Sequence, residues 1–168
     1  MTTTLQPLIE GWDGKDRAAV ESIYQAHRSD VDFIATLLTL CSSPNTERGA
    51  SWLLKAHVEE GPVPDKAQHK RFYQALLSAH HWETRLHLLQ VMHRVPLPKL
   101  QQLTVYHWLT HQLQDPNKFV RAWTYHGLEH IARWYPEHRD EVDAFITLAM
   151  KDEAPSVKAR LRRLAKGQ

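Results

Sequence analysis

One cysteine, six glycines and no long apolar run set the first limits on this 168-residue chain. Cys41 has no internal partner, so a disulfide framework is excluded and an oxidising compartment is not implied. The glycines (Gly11, Gly14, Gly49, Gly61, Gly127 and Gly167) are scattered. They build no Gly-rich phosphate loop, no Gly-x-Ser-x-Gly elbow is present, and nothing in the chain calls for a cofactor. No apolar stretch approaches the roughly 18–20 residues that span a bilayer. The start, Met-Thr-Thr-Thr-Leu-Gln-Pro, lacks the basic-then-apolar order of a secretory leader. These absences read as a cytoplasmic protein without membrane contact. Charge of one sign is also lacking, for the net is only +2, whereas histidine is plentiful at twelve.

Nine prolines punctuate the chain. Pro44, Pro62, Pro64, Pro96, Pro98, Pro116, Pro136 and Pro155 recur at about one helix plus a turn, and proline ends helices by removing an N–H and restricting its predecessor. Between these stops the apolar residues keep a period near 3.6, as in Val105, Trp108, Leu109 and Leu113, or Val142, Phe145, Ile146 and Met150. No alternating Val/Ile/Thr stretch bounded by hairpin turns occurs. The chain therefore reads as all-α. The spacing predicts helices near 16–27, 30–41, 45–60, 65–79, 82–95, 98–114, 117–134, 138–151 and 156–166, with a short one before Gly11. Asp30, Asn45 and Ser156 are the expected N-caps, and Gly61 the expected left-handed C-terminal cap.

Internal similarity is the strongest signal. Arg48, Arg85, Arg121 and Lys158 stand near the start of every second predicted helix, at intervals of 37, 36 and 37 residues. Eight positions before them lie Leu40, Leu77, Leu113 and Met150, and thirteen before lie Ala35, Phe72, Trp108 and Phe145. Six after lie Leu54, Val91, Gly127 and Leu164, and ten after lie Val58, Val95 and Ile131. Columns in register at this period, two helices long, are the signature of an α-solenoid.

The segments Asp115-Pro-Asn-Lys-Phe-Val-Arg121 and Asp152-Glu-Ala-Pro-Ser-Val-Lys158 resemble the inter-helix turn of HEAT repeats. The resemblance implies a right-handed α-α superhelix of about four helix pairs. One domain would cover 1–168, with 1–29 as an N-terminal helical cap and 30–168 as repeats. It also implies that the turn aspartate pairs with the basic residue six positions on. At Arg48 and Arg85 that aspartate is replaced by Ser42 and Ala79. HEAT proteins act as scaffolds and binding surfaces, so a non-catalytic binding role is expected.

In that family the second helices line the concave side. Positions +2, +5 and +9 from each basic marker share one face. They read Ala50, Leu53 and His57; His87, Gln90 and Arg94; Trp123, His126 and His130; then Arg160 and Arg163. His87, Gln90, Arg94, Trp123, His126, His130, Arg160 and Arg163 are the candidate binding ridge. Its histidines, if exposed at an ordinary pKa near ~6.5, gain charge on mild acidification. Charge is unevenly spread: residues 1–84 hold 8 Lys/Arg against 11 Asp/Glu, residues 85–168 hold 13 against 8. A protein partner is the first expectation, and nucleic acid on the basic C-terminal half the second.

Two histidine pairs, His107/His111 and His126/His130, have the i, i+4 spacing that zinc uses. Trp108 and Gly127 rule out the His-Glu-x-x-His pattern. The pairs fall on the outer face of a first helix and the inner face of a second, so no metal site is expected. Cys41 ends an apolar helix and reads as a buried structural thiol. In architecture and charge the chain is also similar to the alkylpurine DNA glycosylases built from HEAT-like repeats, which hold a catalytic Asp beside tryptophans in a basic concave groove. Here the only carboxylate near Trp123 on the ridge helix is Glu129, and no catalytic residue is assigned.

Overall fold

The computed structural model describes residues 2–168, which fold into α-helices with no strand among them. They are α1 (Thr2–Glu10), α2 (Arg17–His27), α3 (Phe33–Leu40), α4 (Glu47–Glu59), α5 (Lys66–Ser78), α6 (Trp82–Val91), α7 (Gln102–Gln112), α8 (Lys118–Trp134), α9 (Arg139–Asp152) and α10 (Pro155–Ala165). Single 3-10 turns occupy Met92–Arg94, Lys99–Gln101 and Pro136–His138. Among the described residues no helix is long and apolar enough to cross a membrane. The chain divides into two compact units between Val95 and Pro96.

The helix ends follow local chemistry, with three corrections. Asp16 accepts from Ala19 N, Asn117 from Phe119 N and Val120 N, and Asp65 forms a full capping box with Gln68. Asp30 does not cap α3. Its carboxylate is taken by His27 Nδ1 at 2.9 Å and its carbonyl by Phe33 N, so it closes the turn after α2. Thr46, not Asn45, precedes α4, and its buried hydroxyl turns back to Leu40 O at 2.5 Å. α10 starts with Pro155 behind Ala154, because a proline at the first helical position has no N–H to satisfy; Ser156 lies inside the helix. Gly61, at φ 131°, follows α4 as expected.

In the N-terminal unit α1, α2 and α3 pack on α4, α4 packs on α6, and α5 bridges α3 and α6. Gly49 lets α1 approach, since a Cβ there would lie 2.8 Å from Ile9 Cγ2. In the C-terminal unit α7, α9 and α10 all pack on α8. The core of this unit includes Ala122, Tyr125, Ala149, Val157, Leu161 and Leu164. Tyr106 Oη bonds Glu141, Gln102 bonds His138, and the Tyr106 and His138 rings stack at 3.9 Å, joining α7 to the start of α9. Apart from Tyr73 Oη to Val95 O, the long-range side-chain bonds described for the two units join residues 32–38 apart. His87–Ser51, Arg71–Ala35, Arg94–Gly61 and Tyr135–Leu97 are examples.

The residues just before the four basic markers, Glu47, Thr84, Val120 and Val157, are all 0% exposed. Glu47 thus places a carboxylate where its counterparts have a hydroxyl or a methyl group. It accepts from His80 N at 2.7 Å and His81 N at 2.6 Å, and its other oxygen meets His80 Nδ1 at 3.1 Å. Two amides of the turn joining α5 to α6 are therefore held by one buried side chain. Truncating it strands two amides out of reach of an acceptor. Glu47→Ala is expected to cost about 3–5 kcal/mol of unfolding free energy and Glu47→Gln, which keeps one acceptor, about 1–2 kcal/mol, as read from urea denaturation of the full chain.

Candidate functional site

The expected ridge behaves differently in the two units. In the N-terminal unit Ala50 and Leu53 are fully buried, and His57 is nearly so. Tyr24 Oη lies 3.1 Å from His57 Nδ1, and the Phe33 ring meets the imidazole edge-on at 5.0 Å. His87 Nδ1 lies 2.9 Å from Ser51 Oγ, a bond that ties α6 to α4. Arg94 donates to Gly61 O at 3.2 Å, satisfying the carbonyl of the left-handed glycine after α4. Gln90 is half-buried on the same helix face. His87 and Arg94 thus serve the unit's own packing.

The C-terminal unit presents a different face. Trp123, His126, His130 and Trp134 follow one another along α8 at steps of three, four and four residues. Their rings touch in sequence, with centroids 4.9 Å apart for Trp123–His126, 4.5 Å for His126–His130 and 6.0 Å for His130–Trp134. His126 is buried, while the other three rings are half-exposed. Arg160 of α10 lays its guanidinium over the Trp123 ring, 4.4 Å from the centroid, a cation–π contact. Burial, followed by the nearby charge of Arg163, lowers the pKa of Arg160 from its ordinary value. It also donates to Gln168 O, and Arg163 is exposed one turn further along α10. Trp134 was not among the ridge candidates. The spacing of ring-bearing residues along 117–134 is the signal that reveals it.

The histidines need correcting as a group. His57 and His126 are buried and His87 is half-buried, and burial is the leading cause that holds the pKa of His57, His87 and His130 below the ordinary value. For His87 the value falls to about 4, with the charges of Lys55 and Arg48 adding to the effect of burial. With its value near 4, His87 stays neutral on mild acidification. His107 and His111 lie exposed on α7, and His80 and His93 are exposed as well. Trp82, the first residue of α6, is 40% exposed.

Three of the four basic markers, Arg85, Arg121 and Lys158, bond carbonyls near the inter-helix turns, Arg121 and Lys158 without the expected aspartate carboxylates, whereas Arg48 pairs with Glu83. Arg121 Nη1 donates to the Asp115 and Pro116 carbonyls, and its Nε lies 2.9 Å from Glu153 Oε1. Lys158 Nζ donates to Lys151 O rather than to the Asp152 carboxylate. Arg85 Nη1 repeats the arrangement of Arg121 on the Ala79 and His80 carbonyls.

Glu129 is held by Arg133 at 3.3 Å and by Arg139 at 2.5 Å, and this pairing raises the pKa of Arg139. It lies about 120° around α8 from Trp123. A carboxylate shared by two guanidinium groups on another side of the helix is poorly placed to act as a base beside the tryptophan. Among the described residues no group of three or more His, Cys, Asp or Glu side chains is arranged to hold a metal ion. Cys41 is fully buried, which pushes its thiol well above the ordinary range, with Glu47 adding to the shift. No family model, no curated protein and no solved structure matches the chain.

A histidine whose folded pKa is depressed is protonated more readily when the chain unfolds. Its contribution to stability is therefore complete above about pH 6.5 and is lost as the pH falls towards 4. Between pH 7 and pH 5, His87 alone is expected to cost the fold about 2 kcal/mol. Urea unfolding at the two pH values checks this: His87→Gln should reduce the difference by most of that amount.

Proposed function

We propose that the protein is a non-catalytic binding module whose units are each built from HEAT-like helix pairs, in the right-handed α-solenoid arrangement of that family. Three features support the repeat reading. The apolar and basic columns recur every 36–37 residues. The long-range side-chain bonds span about the same interval, as in His87–Ser51 and Tyr106–Glu141. Second helices pack on second helices within each unit, α4 on α6 and α8 on α10.

In this reading the C-terminal unit holds its partner on the face made by Trp123, His126, His130, Arg160 and Arg163. The observation that carries it is the Arg160 guanidinium stacked on Trp123 at the head of the ring ladder. Trp and Arg are the side chains that concentrate binding energy at protein interfaces, because they combine apolar area with directed hydrogen bonds. Stacking holds the guanidinium plane in place, so less side-chain entropy is lost when a carboxylate binds. The imidazoles of His126 and His130 are the packing that supports Trp123. An acidic protein segment with an apolar neighbour suits such a face.

A nucleic-acid partner is the second reading. Lys158, Arg160, Arg162, Arg163 and Lys166 fall within residues 154–168, which carry no acid. The glycosylase-like form of that reading lacks a free carboxylate at the ladder, Glu129 being paired with Arg133 and Arg139.

Fluorescence anisotropy with a labelled Glu/Phe-rich peptide and a short labelled duplex separates the two. The peptide is expected to bind, and Arg160→Ala with Arg163→Ala to weaken it at least about tenfold. Preferential binding of the duplex, with affinity falling steeply between about 50 and about 200 mM salt, selects nucleic acid instead. Binding of neither probe at the lower salt overturns the site.

A further inference from the structure

We propose that a second site on the C-terminal unit, on the opposite side of α8 from the ring ladder, binds a basic side chain, arginine or lysine, of a partner polypeptide. Arg121 and Tyr125 lie roughly 150° around α8 from Trp123, His126 and His130. They border a groove of about 540 Å³ between the last turns of α7 and α9, a volume within the usual range for a small ligand site.

Its apolar wall is made by Leu113, Phe145, Leu148 and Ala149. Leu148 is 59% exposed, whereas Leu113 and Phe145 pack against the core of the unit. This wall suits the methylene stem of a long side chain, which buries its carbons while its charged head seeks polar partners.

The polar end is negative and incompletely used. Glu153 is paired with Arg121, and Asp115 is committed within its own turn, accepting from Asn117 N. Asp152 stands exposed beside them and forms no ion pair or hydrogen bond among the described residues, for Lys158 turns to the Lys151 carbonyl instead. The C-terminal turns of α7 and α9 both border the groove, and the negative ends of their dipoles add to the field of Asp152.

Tyr125 is the second, independent indication of a ligand. The residue is only 6% exposed, it lines the groove, and its hydroxyl has no hydrogen-bond partner among the described residues. The ring is packed into the core while the hydroxyl keeps contact with solvent at the groove, where a ligand can reach it. Burial, with the charge of Glu153 adding to it, pushes the Tyr125 pKa up to about 12, so the group remains a neutral hydroxyl at physiological pH. Its oxygen can then accept from an ammonium or guanidinium N–H. A lone metal ion would leave the apolar wall unused, and an anion would meet Asp152 and two negative helix ends. A cation on an aliphatic stem uses every part of the groove.

The probe is a labelled peptide, Gly-Leu-Arg-Leu-Gly, compared by fluorescence anisotropy with a twin carrying citrulline, which keeps the shape and removes the charge. The full-length protein is expected to bind the arginine peptide at least about tenfold tighter. Tyr125→Phe, which removes one hydroxyl and keeps the ring in the core, should weaken that binding about three- to tenfold, and Asp152→Asn about tenfold. Asp140→Asn, at the far end of α9, should leave it unchanged. Equal binding of the two peptides, no effect of Tyr125→Phe and Asp152→Asn, or an equal loss with Asp140→Asn overturns the proposal. So does binding of free arginine amide as tight as the peptide, or salt-sensitive self-association abolished by Asp152→Asn, which would make a second copy of the chain the occupant. The test reads no residue of the Trp123–Arg160 face, so its outcome is separate from that of the ladder.

Discussion

Packing helix pairs against one another brings the inter-helix turns close to neighbouring helices, and turns carry backbone groups that no helix satisfies. Each such N–H or C=O needs a partner, or folding loses the free energy of a hydrogen bond to water. Charged side chains meet this constraint in both units. Glu47 supplies acceptors to His80 N and His81 N, and Arg85 supplies donors to the carbonyls of Ala79 and His80. Arg121 does the same for Asp115 and Pro116 while pairing with Glu153. The periodic basic column is thus first a device for closing turns.

That device determines what is left for binding. Lys158 bonds a backbone carbonyl and not the Asp152 carboxylate that family resemblance assigns to it. Asp152 stands without a partner at the mouth of a groove because Lys158 reaches Lys151 O. The two faces of α8 then differ in chemistry. One carries stacked rings with a guanidinium laid over Trp123, and the other borders an apolar wall with a carboxylate and a buried phenol.

Histidine shows how composition misleads. Twelve of them suggest a titrating or metal-binding surface. The structure instead uses His57 against Tyr24 and Phe33, His87 against Ser51, and His126 between Trp123 and His130. A neutral imidazole is a flat ring with one donor and one acceptor, which fits where a helix face is mainly apolar but a neighbouring hydroxyl or carbonyl needs a partner.

The sequence by itself determined the helices, their order and the 36–37-residue period, because proline punctuation and 3.6-residue apolar spacing act through local backbone chemistry. Most element ends, the cap at Gly61, the burial of Cys41 and the exposure of His107 and His111 were legible on the same grounds. Only the tertiary structure decided which ridge residues face outward. Burial depends on what a neighbouring helix covers: α2 and α3 cover the face carrying His57, whereas Trp123 keeps a half-exposed surface under Arg160. Tertiary structure also decided the partners of charged groups. Spacing places Asp115, Asp152 and Glu153 near a basic residue, but the reach and direction of each side chain select Glu153 for Arg121 and leave Asp152 open.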